Sequence, residues 1–403
     1  VGSFAPCRGG FGFEPRVPRD MKKPRRFFWF AALVLAAGAG FLAGDFLDRP
    51  PSFDLSEIEF PRALRQSGNM PVVEVLFVTN RRPAEGGKGG VFGDEPDGTL
   101  HYGRAEVRIP EAHTIANVQQ PEMQRGLLNP RRASVEKVEV LTEPAFRALL
   151  AQRMAGHEQD GATLFVHGIN HSFDSALRQA GALQFGLNLC RPMIAFSWPT
   201  QPVLSVEGYR RSQEQVDSSA AALENFLEPY RQSRFDLLAH SLGCKVVCRA
   251  FDRLLLNDLW NGADTELPNV ILAAPDVDPQ DFNRAFLGEM ESLADRTTIY
   301  AARNDHALVM SDFLNGRPRL GGTITPEVAV SQLVELTAGD NSRVEIVDAT
   351  FVNRTRTSHG YFYQSRAVFS DLHNLLRNNL PACQRHVLRH ESAREANYWI
   401  IPP

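Results

Sequence analysis

Ser241 stands in the pentapeptide Ala239-His240-Ser241-Leu242-Gly243. An apolar run, Phe235-Asp236-Leu237-Leu238, precedes it, and an apolar stretch suited to a helix, Cys244 to Leu256, follows. Strand, tight turn with a central serine, then helix is a layout that presents a hydroxyl as a nucleophile. Strand and helix nearly touch at such a turn, so the residues two before and two after the serine must be small. Ala239 and Gly243 meet that demand, with Ala where Gly is more usual. An ordinary strand-to-helix turn with a serine N-cap shares the layout, so the other residues must decide. A serine nucleophile needs a base to take its proton, and the base needs an acid to hold its tautomer. In this plan the chain order is Ser, acid, His. Of the histidines after Ser241 (His306, His359, His373, His386 and His390), His359 alone sits in a short loop after a strong strand, with Gly360 beside it. Asp305 precedes it by one strand unit and is the favoured acid. Asp276 and Asp278, after the preceding strand, are runners-up, and Asp348 lies inside a strand.

A tetrahedral intermediate needs donors already aimed at its oxyanion. The N–H of Leu242, at the helix start, is one candidate. The second is the N–H of Ile169 in His167-Gly168-Ile169-Asn170, where Gly168 allows a sharp turn and His167 is a supporting side chain. Trp198, His240 and Asp276 complete the residues expected around the substrate; plain core packing is the other reading of Trp198. His167 and His171 have i, i+4 spacing, but they straddle a turn and no H-E-x-x-H is present, so no metal site is expected. Cys244 and Cys248, one helical turn apart, read as small buried hydrophobes.

The elements that must position these residues alternate. Val72–Thr79, Leu100–Ile109 and Val135–Leu141 read as strands, with Asn80–Thr99 a loop and Glu143–Met154 a helix. From Ala162 the rhythm is strand, loop, helix: strands at Thr163–Val166, Met193–Phe196, Asp236–Leu238, Val270–Ala273, Thr298–Ala302 and Val344–Phe351, with helices at Ser172–Leu189, Tyr209–Tyr230 and Asp371–Asn379. That pattern predicts an α/β fold, a mostly parallel central sheet of about eight strands flanked by helices. Sites in such sheets lie beyond the carboxyl ends of the strands. His167, Ser197-Trp198, Ser241, Asp276, Asp305 and His359 all fall there.

The 403 residues are 43% hydrophobic and 22% charged, ordinary for a globular chain. A net charge of -4 gives no basic footprint, which excludes nucleic acid as an expected partner. Five cysteines are too few for a disulfide scaffold. Residues 1–20 are rich in Gly, Pro and Arg without period, and read as an upstream over-extension before Met21. Met21-Lys22-Lys23-Pro24-Arg25-Arg26 followed by the 18 uncharged residues Phe27 to Gly44 predicts a signal peptide or membrane anchor over 21–44. The basic flank stays in the cytoplasm, so the body is expected on the periplasmic or extracytoplasmic side of a bacterial inner membrane, attached to it if the segment is uncleaved. Residues 45–70 read as a linker, 71–385 as the domain and 386–403 as a charged tail.

The motifs VEVLFVTNR (Val73–Arg81), YGRAEVRIPEAH (Tyr102–His113), FVHGIN (Phe165–Asn170), FSWPT (Phe196–Thr200), AHSLG, AAPDVD (Ala273–Asp278), RNDHAL (Arg303–Leu308), SHGYF (Ser358–Phe362) and the closing NYWIIP occur in order. Together they resemble a bacterial α/β-hydrolase family of unknown physiological role, of the "esterase/lipase superfamily enzyme" type, over nearly everything after the linker. The resemblance implies an α/β-hydrolase fold and a Ser–Asp–His triad on Ser241, Asp305 and His359. Members often carry an acidic residue three after the Tyr that follows the SWP motif; here Ser212 stands at that place after Tyr209. The expectation is a serine hydrolase, free of cofactors, cleaving carboxylic esters or thioesters of small or lipid-like acyl groups. The alternatives are a non-catalytic envelope binding protein on the same fold, and an acyltransferase or peptidase using the same triad.

Overall fold

The computed structural model describes residues 65–67, 70–85, 90–109, 133–155, 161–201, 205–257, 259–260, 266–322, 343–354, 358–393 and 396–403. The expected over-extension, the signal or anchor segment and most of the linker lie outside the described residues. Among the described residues no helix is long and apolar enough to cross a membrane.

Among the described residues twelve strands form one sheet: β1 (Arg65–Ser67), β2 (Met70–Pro83), β3 (Phe92–Arg108), β4 (Ser134–Leu141), β5 (Ala162–Val166), β6 (Met193–Ser197), β7 (Phe235–His240), β8 (Asn269–Ala273), β9 (Thr297–Ala301), β10 (Val344–Asp348), β11 (Arg389–Ala393) and β12 (Ala396–Ile400). Their spatial order is β11-β12-β10-β9-β8-β7-β5-β6-β2-β3-β4, with β1 paired to β2. The run from β12 to β2 is parallel throughout, while β1, β3, β4 and β11 add antiparallel partners. The sheet is therefore larger than the expected eight strands: β1, β11 and β12, at its margins, were not expected as strands.

Every residue of β5 to β9 is buried, as a parallel sheet covered on both faces requires. Side chains alternate between the faces: Leu76, Val78, Leu164, Val166, Leu237 and Ala239 go to one core layer, and Val75, Phe77, Phe165 and Leu238 to the other. Among the described residues the α-helices of four residues or more are α1 (Glu143–Met154), α2 (Phe173–Gly186), α3 (Val206–Glu214), α4 (Val216–Leu227), α5 (Leu242–Leu256), α6 (Leu287–Leu293), α7 (His306–Asn315), α8 (Tyr361–Gln364) and α9 (Arg366–Asn378). Phe146 of α1, Leu223 of α4 and Val247 of α5 pack on the first layer. Leu177 of α2 and Leu372 of α9 pack on the second. Fully burying one such side chain is worth about 1.5–3 kcal/mol.

Other expectations are revised. Both described ends of the segment 80–99, expected as a loop, are strand: β2 runs to Pro83 and β3 starts at Phe92, with register shifts near Arg81, and Phe92 enters the core against Phe77 and Phe173. The expected helix Tyr209–Tyr230 divides at Gln215, whose N–H donates to Ser212 O rather than continuing the α pattern. Within 386–403, expected as a tail, β11 and β12 pair antiparallel, and β12 joins β10 in parallel.

Candidate active site

Paired registers place the strand ends side by side: Val166 opposite Ala239, His240 opposite Ala273, and Ala301 opposite Asp348. Strain concentrates just beyond them. Of the six described non-glycine residues with positive φ, Asn170, Ser241, Ala274 and Ser358 lie at this edge. Such conformations cost about 1–3 kcal/mol each and persist only where the surroundings over-determine them.

Ser241 has φ 54° and ψ −126°, the sharp reversal between β7 and α5. Its N–H donates to Ala273 O at 2.9 Å, and its carbonyl accepts from Cys244 N at 3.0 Å and Asp276 N at 3.2 Å. Two glycines make room. A Cβ on Gly243 would lie 2.3 Å from His167 O and 2.8 Å from Val166 O; a Cβ on Gly168 would lie 2.8 Å from Ser241 Cβ and 2.9 Å from His240 Nδ1. The expected demand for a small residue after the serine thus has a definite cause: α5 starts against the backbone of the 167–171 loop. Leu242 is the first residue of α5, where backbone N–H groups lack intrahelical acceptors.

His359 Nδ1 lies 2.8 Å from Asp305 Oδ2. The carboxylate accepts, so Nδ1 carries the proton and Nε2 is left bare. Asp305 is fully buried and divides its oxygens: Oδ2 serves His359, while Oδ1 caps α7, accepting from Ala307 N and Leu308 N, both at 3.1 Å. Burial works against charge on His359, but the Asp305 charge and hydrogen bond, with a further contribution from Asp276, outweigh it, so its pKa is raised above 6.5. Among the described residues the Ser241 hydroxyl makes no hydrogen bond to His359. The ring of His240, the residue before Ser241, lies 4.7 Å from that of His359, centroid to centroid.

The runner-up acid is spoken for. Asp276 accepts from Tyr209 OH at 3.0 Å and Ser311 Oγ at 2.6 Å, and pairs with Arg319 Nε at 3.3 Å. It ties α3 to α7 beneath the site. Asp278 caps the turn at Gln280, and Asp348 accepts from Thr350 N at 2.8 Å. Ser212, at the place where an acid is often found, turns its hydroxyl back to Gly208 O.

The 167–171 loop is braced from several sides. His167 Nδ1 donates to Gly168 O at 2.7 Å, which leaves Nε2 without a proton and unable to donate to an oxyanion. Burial first, then His171 and Arg81, push its pKa well down. His171 is likewise pushed down, to about 3, by burial and then Arg81 and Arg178. Trp198 is fully buried; its indole donates to His167 O at 2.7 Å and stacks on the His167 ring, so it is core rather than pocket wall. Ile169 is only partly buried.

Sequence reasoning assigned no role to Arg81. Its buried guanidinium donates to His171 O at 2.8 Å, Ser197 Oγ at 3.0 Å, Gly93 O at 3.1 Å and Asp94 Oδ1 at 3.0 Å, and burial lowers its pKa to about 10 despite Asp94. An arginine closing a strand of apolar and β-branched residues was the available signal. Cys244 and Cys248 are buried free thiols, as expected.

The family described as "Alpha/beta hydrolase of unknown function (DUF900)" matches residues 142–378. None of the curated proteins matches the chain. Among solved structures, similarity is found to fungal esterases from Rhizomucor miehei (10% identity, covering 86% of this chain and 95% of that chain, TM-score 0.33). It is also found to phospholipase PlaB from Legionella pneumophila in complex with thio-NAD (13%, 60% and 67%, TM-score 0.25). A third is a proline iminopeptidase-related protein from Thermus thermophilus (16%, 52% and 78%, TM-score 0.21).

Proposed function

The chain belongs to this α/β-hydrolase family of unknown function, and from that premise we propose that it is a serine hydrolase acting on carboxylic esters or thioesters of small or lipid-like acyl groups. The observation that carries the reading is the buried Asp305 holding His359 Nδ1 at 2.8 Å, on the same sheet edge where Ser241 stands in a positive-φ turn. Ser241 Oγ attacks the acyl carbonyl and its proton passes to His359 Nε2. Asp305 accepts the Nδ1–H throughout and stabilises the imidazolium. The N–H groups of Leu242 and Ile169 receive the oxyanion. Collapse expels the alcohol or thiol, which takes the proton from His359 Nε2. Water, activated by the same nitrogen, then hydrolyses the acyl-enzyme and regenerates Ser241. The Ser241–His359 contact forms as substrate binds, since catalytic hydrogen bonds often tighten only in the complex.

The basic run Lys22 to Arg26 before an uncharged stretch supports placing this activity outside the cytoplasm, on an anchored or secreted body. The test is labelling with an organophosphonate probe and turnover of a short-chain p-nitrophenyl ester. Ser241→Ala is expected to abolish labelling and to lower kcat by at least ~10³-fold. Labelling that survives the substitution overturns the assignment, and an unlabelled wild-type protein without acyl turnover favours a binding role for the same fold.

A further inference from the structure

Resting on the hydrolase reading, we infer that His240 is a positioning residue, a neutral spacer that fixes the distance between the loop carrying the base and the loop carrying the oxyanion donor. His240 ends β7, immediately before Ser241, and is buried. Its Nε2 lies 3.2 Å from the carbonyl of His359. A carbonyl only accepts, so Nε2 carries the ring proton and Nδ1 is bare. Nδ1 has no hydrogen-bond partner among the described residues and faces Gly168, whose missing Cβ would sit 2.9 Å from it. The ring is clamped between His359 (4.7 Å between centroids) and Phe362 (4.5 Å). One side chain thus touches the base loop by a hydrogen bond and by ring packing, and the oxyanion loop by close contact.

The surroundings give this clamp a purpose. The base loop is strained at Ser358, with φ 53°. Its carbonyls are held on both sides of the peptide joining Ser358 to His359: Asn353 Nδ2 donates to Ser358 O at 2.7 Å, and His240 Nε2 to His359 O. The oxyanion loop is held from the far side by Arg81 and Thr200 on the His171 carbonyl. His240 is the piece between the two. A side chain with no donor at this reach would leave the His359 carbonyl unpaired. A neutral ring also suits its place, because His359 becomes cationic during each acyl transfer and a second charge at this separation would oppose it.

The test compares His240→Phe, which keeps a ring and loses the donor, with His240→Gln, whose Nε2 can reach the same carbonyl. His240→Phe is expected to lower kcat by roughly 10- to 100-fold with KM little changed, as for a small misplacement of reacting groups, and His240→Gln to restore most of the loss. The second readout is the downfield proton resonance of His359 Nδ1–H bonded to Asp305. It is expected to broaden or move in the Phe variant and to persist in the Gln variant. The charged groups acting on that ring are Asp305 and Asp276. The resonance needs no turnover, so it separates failure of this inference from failure of the hydrolase reading. Equal loss in both variants at unchanged Tm, or an unchanged resonance and kcat in the Phe variant, overturns it.

Discussion

Replacing Asp305 by Asn would keep its shape and change one proton. In the wild type, Oδ1 caps α7 through Ala307 N and Leu308 N, and Oδ2 accepts from His359 Nδ1. Asn can keep the cap, since its carbonyl accepts as the carboxylate did. Its amide nitrogen then faces His359 Nδ1 and donates to it. The ring must take the other tautomer, with the proton on Nε2, where it cannot accept from Ser241. Loss of the correct tautomer in Ser-His-Asp systems costs about 10⁴ in kcat, close to 5.5 kcal/mol of transition-state stabilisation. At pH above the raised His359 value, where the ionic pair contributes little, stability should barely move, because N-caps of Asn and Asp are about equivalent and losing one entirely costs ~1 kcal/mol. Asp276→Asn is the matched control. There the buried pair with Arg319 is broken and the bonds from Tyr209 and Ser311 are weakened, so the cost is about 3 kcal/mol of stability, with kcat retained within about tenfold. The assays are p-nitrophenyl ester kinetics at saturating substrate and denaturant unfolding of both variants. A D305N enzyme within tenfold of wild-type kcat, or a D276N enzyme that loses 10³-fold while staying folded, would refute the assignment of the acid.

Two further outcomes follow from the same geometry. The acid limb of kcat/KM is expected above the ordinary histidine value of 6.5, because Asp305 and Asp276 outweigh burial in holding His359 protonated, and it should fall toward lower pH in D305N. The sign for stability follows: the folded pKa is raised, so the pair's contribution is fully present below 6.5 and is lost as pH rises through the raised value. Unfolding free energies of wild type and D305N compared across that window check it. Gly243→Ala is expected to destabilise by about 3 kcal/mol, because its Cβ would meet two backbone carbonyls, His167 O at 2.3 Å and Val166 O at 2.8 Å, neither of which can rotate away; thermal unfolding reads the loss, and a neutral result would refute the close approach of α5 to the loop.

The candidate residues were legible in the sequence to the extent that their roles depend on chain order and on the ends of apolar runs. Ser241, Asp305 and His359 each follow a strand buried on both faces, and such strands announce themselves as short apolar runs. The margins were less legible. Phe92 and the β11–β12 pair become strands because neighbours offer pairing edges, which no local pattern records. Nor does sequence say how a polar group divides its bonds. Asp276 and Asp305 are both aspartates just beyond strand ends, and only the packing of α3 and α7 gives the first to Tyr209, Ser311 and Arg319 and leaves the second for His359. The two are not independent. Asp276 holds α7 at Ser311, and Asp305 caps the same helix at its start. Asp276 therefore fixes the element on which Asp305 stands.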